Sequence, residues 1–178
     1  MNRILFYGLA FPSCLLAVKA IAALPFPTRN AASSQPNQSF ILAQSRFDAQ
    51  LLQLTNAQRR QAGLPALRLS SQLGQAAQSH AQDMARNNIF SHTGSNGSSM
   101  VDRVKATGYS YSAIGENIAA GEPNPEATIR QWMNSPGHRQ NILNRNYTEI
   151  GFGYVAAPNT RYRHYWVQVF GSPRNARQ

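Results

Sequence analysis

Three short segments set one titratable side chain among turn-forming and apolar neighbours: Phe90-Ser91-His92, Gly115-Glu116-Asn117-Ile118 and Ser135-Pro136-Gly137-His138-Arg139-Gln140-Asn141-Ile142-Leu143. Each is expected at the edge of a regular element, where a scaffold holds a side chain that stays reachable. His92, Glu116 and His138 make a His2Glu set. Two neutral imidazoles and a carboxylate suit zinc with an open fourth position, and such a site polarises a carbonyl or activates a bound water. Without metal, Glu116 could orient one histidine as a general base, although no nucleophile is positioned by the pattern. The same three residues also suit a polar network that fixes loops over a sheet, because buried polar groups must find partners.

Other chemistries lack their signatures. The chain has no G-x-S-x-G elbow, no Walker loop with its lysine and no H-E-x-x-H helix; Gly94-Ser95-Asn96-Gly97 has glycines without a partner lysine. His80 falls on an apolar helical stripe and reads as a core histidine. Trp132 and Trp166 read as core for the same reason, and Asn117 and Asn141 are expected to bond to the backbone of their loops. The arginines are dispersed, with local pairs at Arg59-Arg60 and Arg161/Arg163, so a solvated basic surface is expected and no nucleic-acid module is indicated.

The elements that must position these residues are legible in part. Phe47, Leu51, Leu54 and Ala57 have helical spacing, with Gly63 and Pro65 placed to end the helix. A second helix starts at a Ser70 or Ser71 cap and buries Leu73, Ala76, Ala77, His80, Ala81 and Met84. A short helix capped by Ser98 or Ser99 carries Val101 and Val104 and closes at Gly108, and Asn124-Pro125-Glu126 opens another that Ser135-Pro136-Gly137 stops. The last third changes to period two: Ile150, Phe152 and Tyr154, a turn at Asn159-Thr160, then Tyr165, Val167 and Val169 alternating with Trp166, Gln168 and Phe170. Helices first and an antiparallel hairpin last predict an α+β fold without βαβ alternation.

The chain has 178 residues, 17 basic against 7 acidic for a formal charge of +10, and one cysteine. Hydrophobic residues make up 42% of it, which excludes a disordered chain and leaves room for one domain with a core. Residues 1–22 read as a signal peptide: Arg3, an apolar run from Ile4 to Val18, and small residues at Ala20-Ile21-Ala22. The apolar run is shorter than a spanning helix needs and is interrupted by Pro12, so no transmembrane anchor is expected after cleavage. Cleavage would remove Arg3, Lys19 and Cys14, leaving 15 basic residues against 7 acidic, a charge of +8, and no thiol or disulfide. Residues 23–46, rich in Pro, Asn, Gln and Ser, read as an extended linker, 47–173 as the folded domain and 174–178 as a basic tail.

These segments, with Ile150-Gly151-Phe152-Gly153 and Tyr165-Trp166-Val167-Gln168-Val169-Phe170-Gly171, resemble the bacterial branch of the CAP superfamily, which includes the cysteine-rich secretory, antigen 5 and pathogenesis-related proteins. The resemblance runs from about Asp48 to Ser172 with the motifs in the family's order. It implies an α-β-α sandwich with a small antiparallel sheet between helices, and a surface cavity lined by two histidines and two glutamates that binds a divalent metal, often zinc. Motif by motif, it implies His92, Glu116 and His138 for three of those four. Where other members carry the second glutamate, three residues after a helical Trp, Trp132 is followed by Ser135. His164 follows the Ile150–Gly153 strand whereas the family's histidine precedes it, so His164 is not its counterpart. The resemblance implies a secreted or extracytoplasmic protein, in the periplasm or cell envelope, that binds a lipid or small hydrophobic ligand without turnover. A metal-dependent hydrolase or protease using His92, Glu116 and His138 is the alternative from a second class. A basic module that adheres to an acidic envelope polymer is a third.

Overall fold

The computed structural model describes residues 36–174, with side chains from residue 46 onward. The expected signal peptide, residues 23–35 of the expected linker and residues 175–178 lie outside the described residues. Five helices, α1 (Pro36–Gln61), α2 (Ser71–Asn87), α3 (Met100–Ala106), α4 (Pro125–Met133) and α5 (Pro136–Ile142), accompany four strands, β1 (Arg68–Leu69), β2 (Tyr111–Ala120), β3 (Glu149–Ala157) and β4 (Arg163–Pro173). Helix α1 thus begins within the segment read as an extended linker. Leu42, Ala43, Gln44 and Arg46 form helix readily, and lengthening an existing helix avoids a second nucleation cost.

The caps follow the sequence. Ser70 accepts from the Leu73 amide, Ser99 and Asp102 form a reciprocal capping box, and Asn124 accepts from the Ala127 amide ahead of Pro125. Ser135-Pro136-Gly137 ends α4 as expected, but Pro136 also opens α5, the helix that carries His138.

The strands are ordered β1-β3-β4-β2, with β2, β4 and β3 antiparallel and β1 joined in parallel through Arg68 and Leu69. Alternation along β4 divides the core. Tyr165, Val167 and Val169 face Leu73, Ala77, Ala81 and Met84 of α2 and Val104 of α3. Trp166 and Phe170 face Leu51 of α1, Ile129 and Trp132 of α4 and Ile142 of α5. This is an α-β-α sandwich with two hydrophobic layers, one on each side of the sheet. The expectation of helices first and strands last fails at β2, which lies between α3 and α4 and carries Glu116 in mid-strand rather than in an edge turn. Gly115, Glu116 and Asn117 are poor strand formers, and the conformation follows from pairing with β4 from Ala113 to Ala120.

Helix α2 lies directly on β3. A Cβ on Gly151 would overlap the backbone of Leu73 and Gly74, and one on Gly153 would overlap the backbone of Ala77 and Gln78. The alanines of α2 and these two glycines therefore bring helix and strand to backbone contact. Gly153→Val is expected to lower stability by about 2–3 kcal/mol through overpacking, read as a lower urea midpoint. A midpoint equal to wild type would show that α2 shifts freely.

Helix α1 is fixed by a different device. Arg59 is fully buried and donates to the carbonyls of Pro65 (2.9 Å), Ile142 (2.8 Å), Asn144 (2.8 Å) and Tyr147 (3.3 Å). The expected surface pair Arg59-Arg60 is thus split, with Arg60 exposed and Arg59 joining α1 to the end of α5. Thr55, Asn56 and Arg59 lie fully or almost fully buried on α1, where Ala57 was expected.

Candidate functional site

The site forms where β2 runs along one edge of the sheet. Glu116 and Asn117 are adjacent on an extended strand, so their side chains point to opposite faces, and each anchors a separate polar network.

Glu116 enters the α2/α3 layer and is buried. Its Oε1 accepts from His92 Nδ1 at 2.8 Å, and Arg103 Nη2 donates to Oε1 at 3.1 Å and Oε2 at 2.9 Å. Arg103, from α3, also donates to the carbonyls of Ser98 and His92 at 3.0 Å each, so it fixes the segment that carries His92. Behind this group lies His80 of α2, fully buried, with Nε2 donating to the Ser91 carbonyl at 2.9 Å and 3.9 Å from Glu116 Oε1. Burial alone raises the Glu116 pKa, but the His92 hydrogen bond and the Arg103 charge outweigh it and hold the carboxyl below its ordinary value. Burial lowers the His80 pKa and keeps its imidazole neutral near pH 7.

Asn117 enters the opposite layer. Its Nδ2 donates to the His138 carbonyl (3.0 Å) and to Gln168 Oε1 (3.1 Å), and Gln168 Nε2 reaches Thr55 Oγ1 of α1 (3.0 Å). Asn141 of α5 donates to Asn117 Oδ1 (2.8 Å) and to the Glu116 carbonyl (3.2 Å). Both asparagines therefore bond along strand and helix rather than within loops as expected. The carbonyls of Ile114 and Ile118 accept in the same way from Tyr147 Oη and Trp132 Nε1, both at 3.1 Å. Trp132 and Trp166 are buried as expected, and the Trp166 indole donates to the Glu122 carbonyl.

His92 and His138 reach the site from opposite layers. The His92 side chain is 57% exposed, so with Nδ1 held by Glu116 its Nε2 is the nitrogen left for a ligand. His138 is half-buried, and its Nδ1 is buried without a hydrogen-bond partner. Burial lowers the His138 pKa, and a charge on His92 lowers it further.

Among the described residues, no group of three or more His, Cys, Asp or Glu side chains is arranged to hold a metal ion. The His2Glu set does not fit as a three-ligand site, because Arg103 and His92 occupy both oxygens of Glu116. Glu116 holds one ring nitrogen of His92, the usual arrangement behind a metal-bound histidine. Ser135 makes no side-chain capping bond and brings no carboxylate. A cavity of about 670 Å³ between α2 and α3 is lined by Arg103, Asp83, Asp102 and Gln75 among others, but by neither His92, His138 nor Glu116. His164 bonds to Tyr154 (2.9 Å) across the β3–β4 pair, apart from this site.

The role of Arg103 was not read from the sequence; the available signal was a charged residue directly before Val104 on the buried stripe of α3. His80 is buried on the apolar stripe of α2 as expected.

A four-stranded sheet between two helical layers, with a Ser-His, Gly-Glu-Asn and Pro-Gly-His constellation at its edge, defines a CAP domain. The chain belongs to the cysteine-rich secretory protein (CAP) family, whose model matches residues 52–170. It is 41% identical over 126 residues to the uncharacterized protein YkwD of Bacillus subtilis, spanning 71% of this chain and 47% of that protein. An extracellular protein of Bacillus anthracis containing an SCP domain superposes with a TM-score of 0.65 at 33% identity, over 72% of this chain and 41% of that one. An outer surface protein of Borrelia burgdorferi shares the fold with a TM-score of 0.61 at 22% identity, over 78% of this chain and 95% of that one. The chain spans less than half the length of the curated relatives it matches. Among the described residues, no helix is long and apolar enough to cross a membrane.

Proposed function

We propose that this chain is an extracytoplasmic CAP module that binds a ligand, with or without a divalent metal, through His92 and His138 at the β2 edge and does not turn it over. One observation carries the reading: the site's single carboxylate, Glu116, is buried with both oxygens committed to Arg103 and His92, so it is not available as a general acid, general base or metal ligand. With Ser135 at the position of the family's second glutamate, the site has no second carboxylate, and acid–base work would fall to the two imidazoles alone. The two imidazoles remain as donors, and zinc held by them would supply Lewis acidity to a ligand oxygen. The apolar run at residues 4–18 and the extracellular description of the Bacillus anthracis relative support placement outside the cytoplasm.

Calorimetric titration with Zn2+ tests the assignment. The wild type should bind, the His92→Ala/His138→Ala variant should not, and Ser135→Glu should bind more tightly because it adds a carboxylate ligand. Equal affinity in wild type and the double histidine variant would sink the site. Peptide or ester hydrolysis that disappears in that variant would sink the claim of binding without turnover.

A further inference from the structure

We propose that the tip of the β3–β4 hairpin, with Phe90, is a docking surface for an anionic lipid bilayer. Residues 158–162 connect the two strands as Pro158-Asn159-Thr160-Arg161-Tyr162, Arg163 opens β4, and Arg161 and Arg163 are exposed. Phe90, 42% exposed, is one of two large hydrophobic side chains so exposed among the described residues. Its ring lies 5.4 Å from that of Tyr162, Tyr162 packs against Tyr165 at 6.0 Å, and the Arg161 guanidinium stands 5.3 Å from the Tyr162 ring centre. An exposed aromatic ledge flanked by arginines matches the boundary between headgroups and acyl chains.

The charge is one-sided. No acidic residue occurs after Glu149. Arg86, exposed in the last turn of α2, adds to the same end of the molecule, and the nearby acid Asp83 is engaged by Ser95 and Asn87. The tip is also held in place. Asn88, left-handed at the end of α2 (φ 50°), accepts from the Arg161 amide at 2.9 Å and the Tyr165 hydroxyl at 3.4 Å. Arg163 is itself left-handed at φ 64°, a conformation costly for a bulky residue that the surrounding bonds must maintain. A surface fixed before contact loses less conformational entropy on binding.

The test measures sedimentation of the full-length protein with vesicles of phosphatidylglycerol and of phosphatidylcholine. The readout is the ratio of the two affinities, from which any apolar contribution common to both, such as that of residues 4–18, divides out. Each arginine at an anionic surface contributes about fivefold, so Arg161→Gln/Arg163→Gln should lower the ratio about 30-fold. Phe90→Ser should weaken the phosphatidylglycerol binding that persists at high salt, where the arginines are screened. An unchanged ratio in the double glutamine variant overturns the proposal. So does complete release of the protein by soluble inorganic polyphosphate together with wild-type binding by Phe90→Ser, since that assigns the tip to a phosphate polymer and not a bilayer. All three positions are exposed, and unchanged melting temperatures establish that each variant is folded.

Discussion

Glu116→Ala is expected to destabilise the domain by about 3–5 kcal/mol, because it leaves the Arg103 guanidinium buried without its counter-charge. The side chains of Glu116 and Arg103 are only 3% and 8% exposed, so water does little to replace the lost partner. Removing both charges should be much milder. Glu116→Leu combined with Arg103→Met removes both charges and leaves the Ser98 and His92 carbonyls without their donor, so urea unfolding of the double variant should return much of the loss. A double variant as unstable as Glu116→Ala would show that the pair is not the source of the effect.

The same group gives the domain a signed response to acid. Because the folded Glu116 pKa lies below its unfolded value, its contribution is present above the unfolded carboxyl pKa of about 4.3 and is lost as pH falls through the folded value. His80 acts earlier. Its folded pKa is lowered by burial, so the unfolded chain takes up a proton first and stability declines as pH drops below about 6.5. His80→Gln should reduce the slope of this upper part of the pH–stability curve, with the remainder coming from His138, whose pKa burial also lowers.

The second large effect is expected at Arg59. Arg59→Leu fits the apolar volume but strands the four carbonyls that the guanidinium satisfies. At about 1–3 kcal/mol for each unsatisfied buried acceptor, the loss should reach about 4 kcal/mol, lowering the melting temperature by about 10 °C or more. Arg59→Lys should recover only part of this, since an ammonium cannot span acceptors on three segments as the planar fork does. Calorimetric melting decides the matter. A drop of less than a few degrees for Arg59→Leu would mean that water or a shift of α5 serves these carbonyls instead.

The contrast between Arg59 and β4 explains how much could be read in advance. Alternation in residues 165–170 reports burial on two faces: the structure assigns Tyr165, Val167 and Val169 to one layer and Trp166 and Phe170 to the other, with Gln168 bonded to Thr55 of α1 on the latter side. The caps at Ser70, Ser99 and Asn124 were legible because a cap is a local interaction. Strand β2 was not, since Gly115-Glu116-Asn117 becomes extended only through a partner some fifty positions later in the chain. Arg59 was misread because arginine is normally exposed, and the carbonyls that make burial tolerable come from residues 65 and 142–147. At the candidate site the division of labour was not legible. Its three motif residues were named, yet whether Glu116 is a ligand or an orienting group depends on Arg103, which no local pattern ties to it.

The side-chain bonds along the outer margin of β2 leave little of its backbone open to another chain. Tyr147, Asn141 and Trp132 occupy the carbonyls of Ile114, Glu116 and Ile118, the groups that another chain's strand would need in order to add to the sheet. On the opposite margin, Gln78 donates to the Tyr154 carbonyl and accepts from its amide, imitating a neighbouring strand with one side-chain amide. Open edges are templates for aggregation. A domain without a disulfide to limit partial unfolding therefore has both flanks of its sheet guarded against self-association.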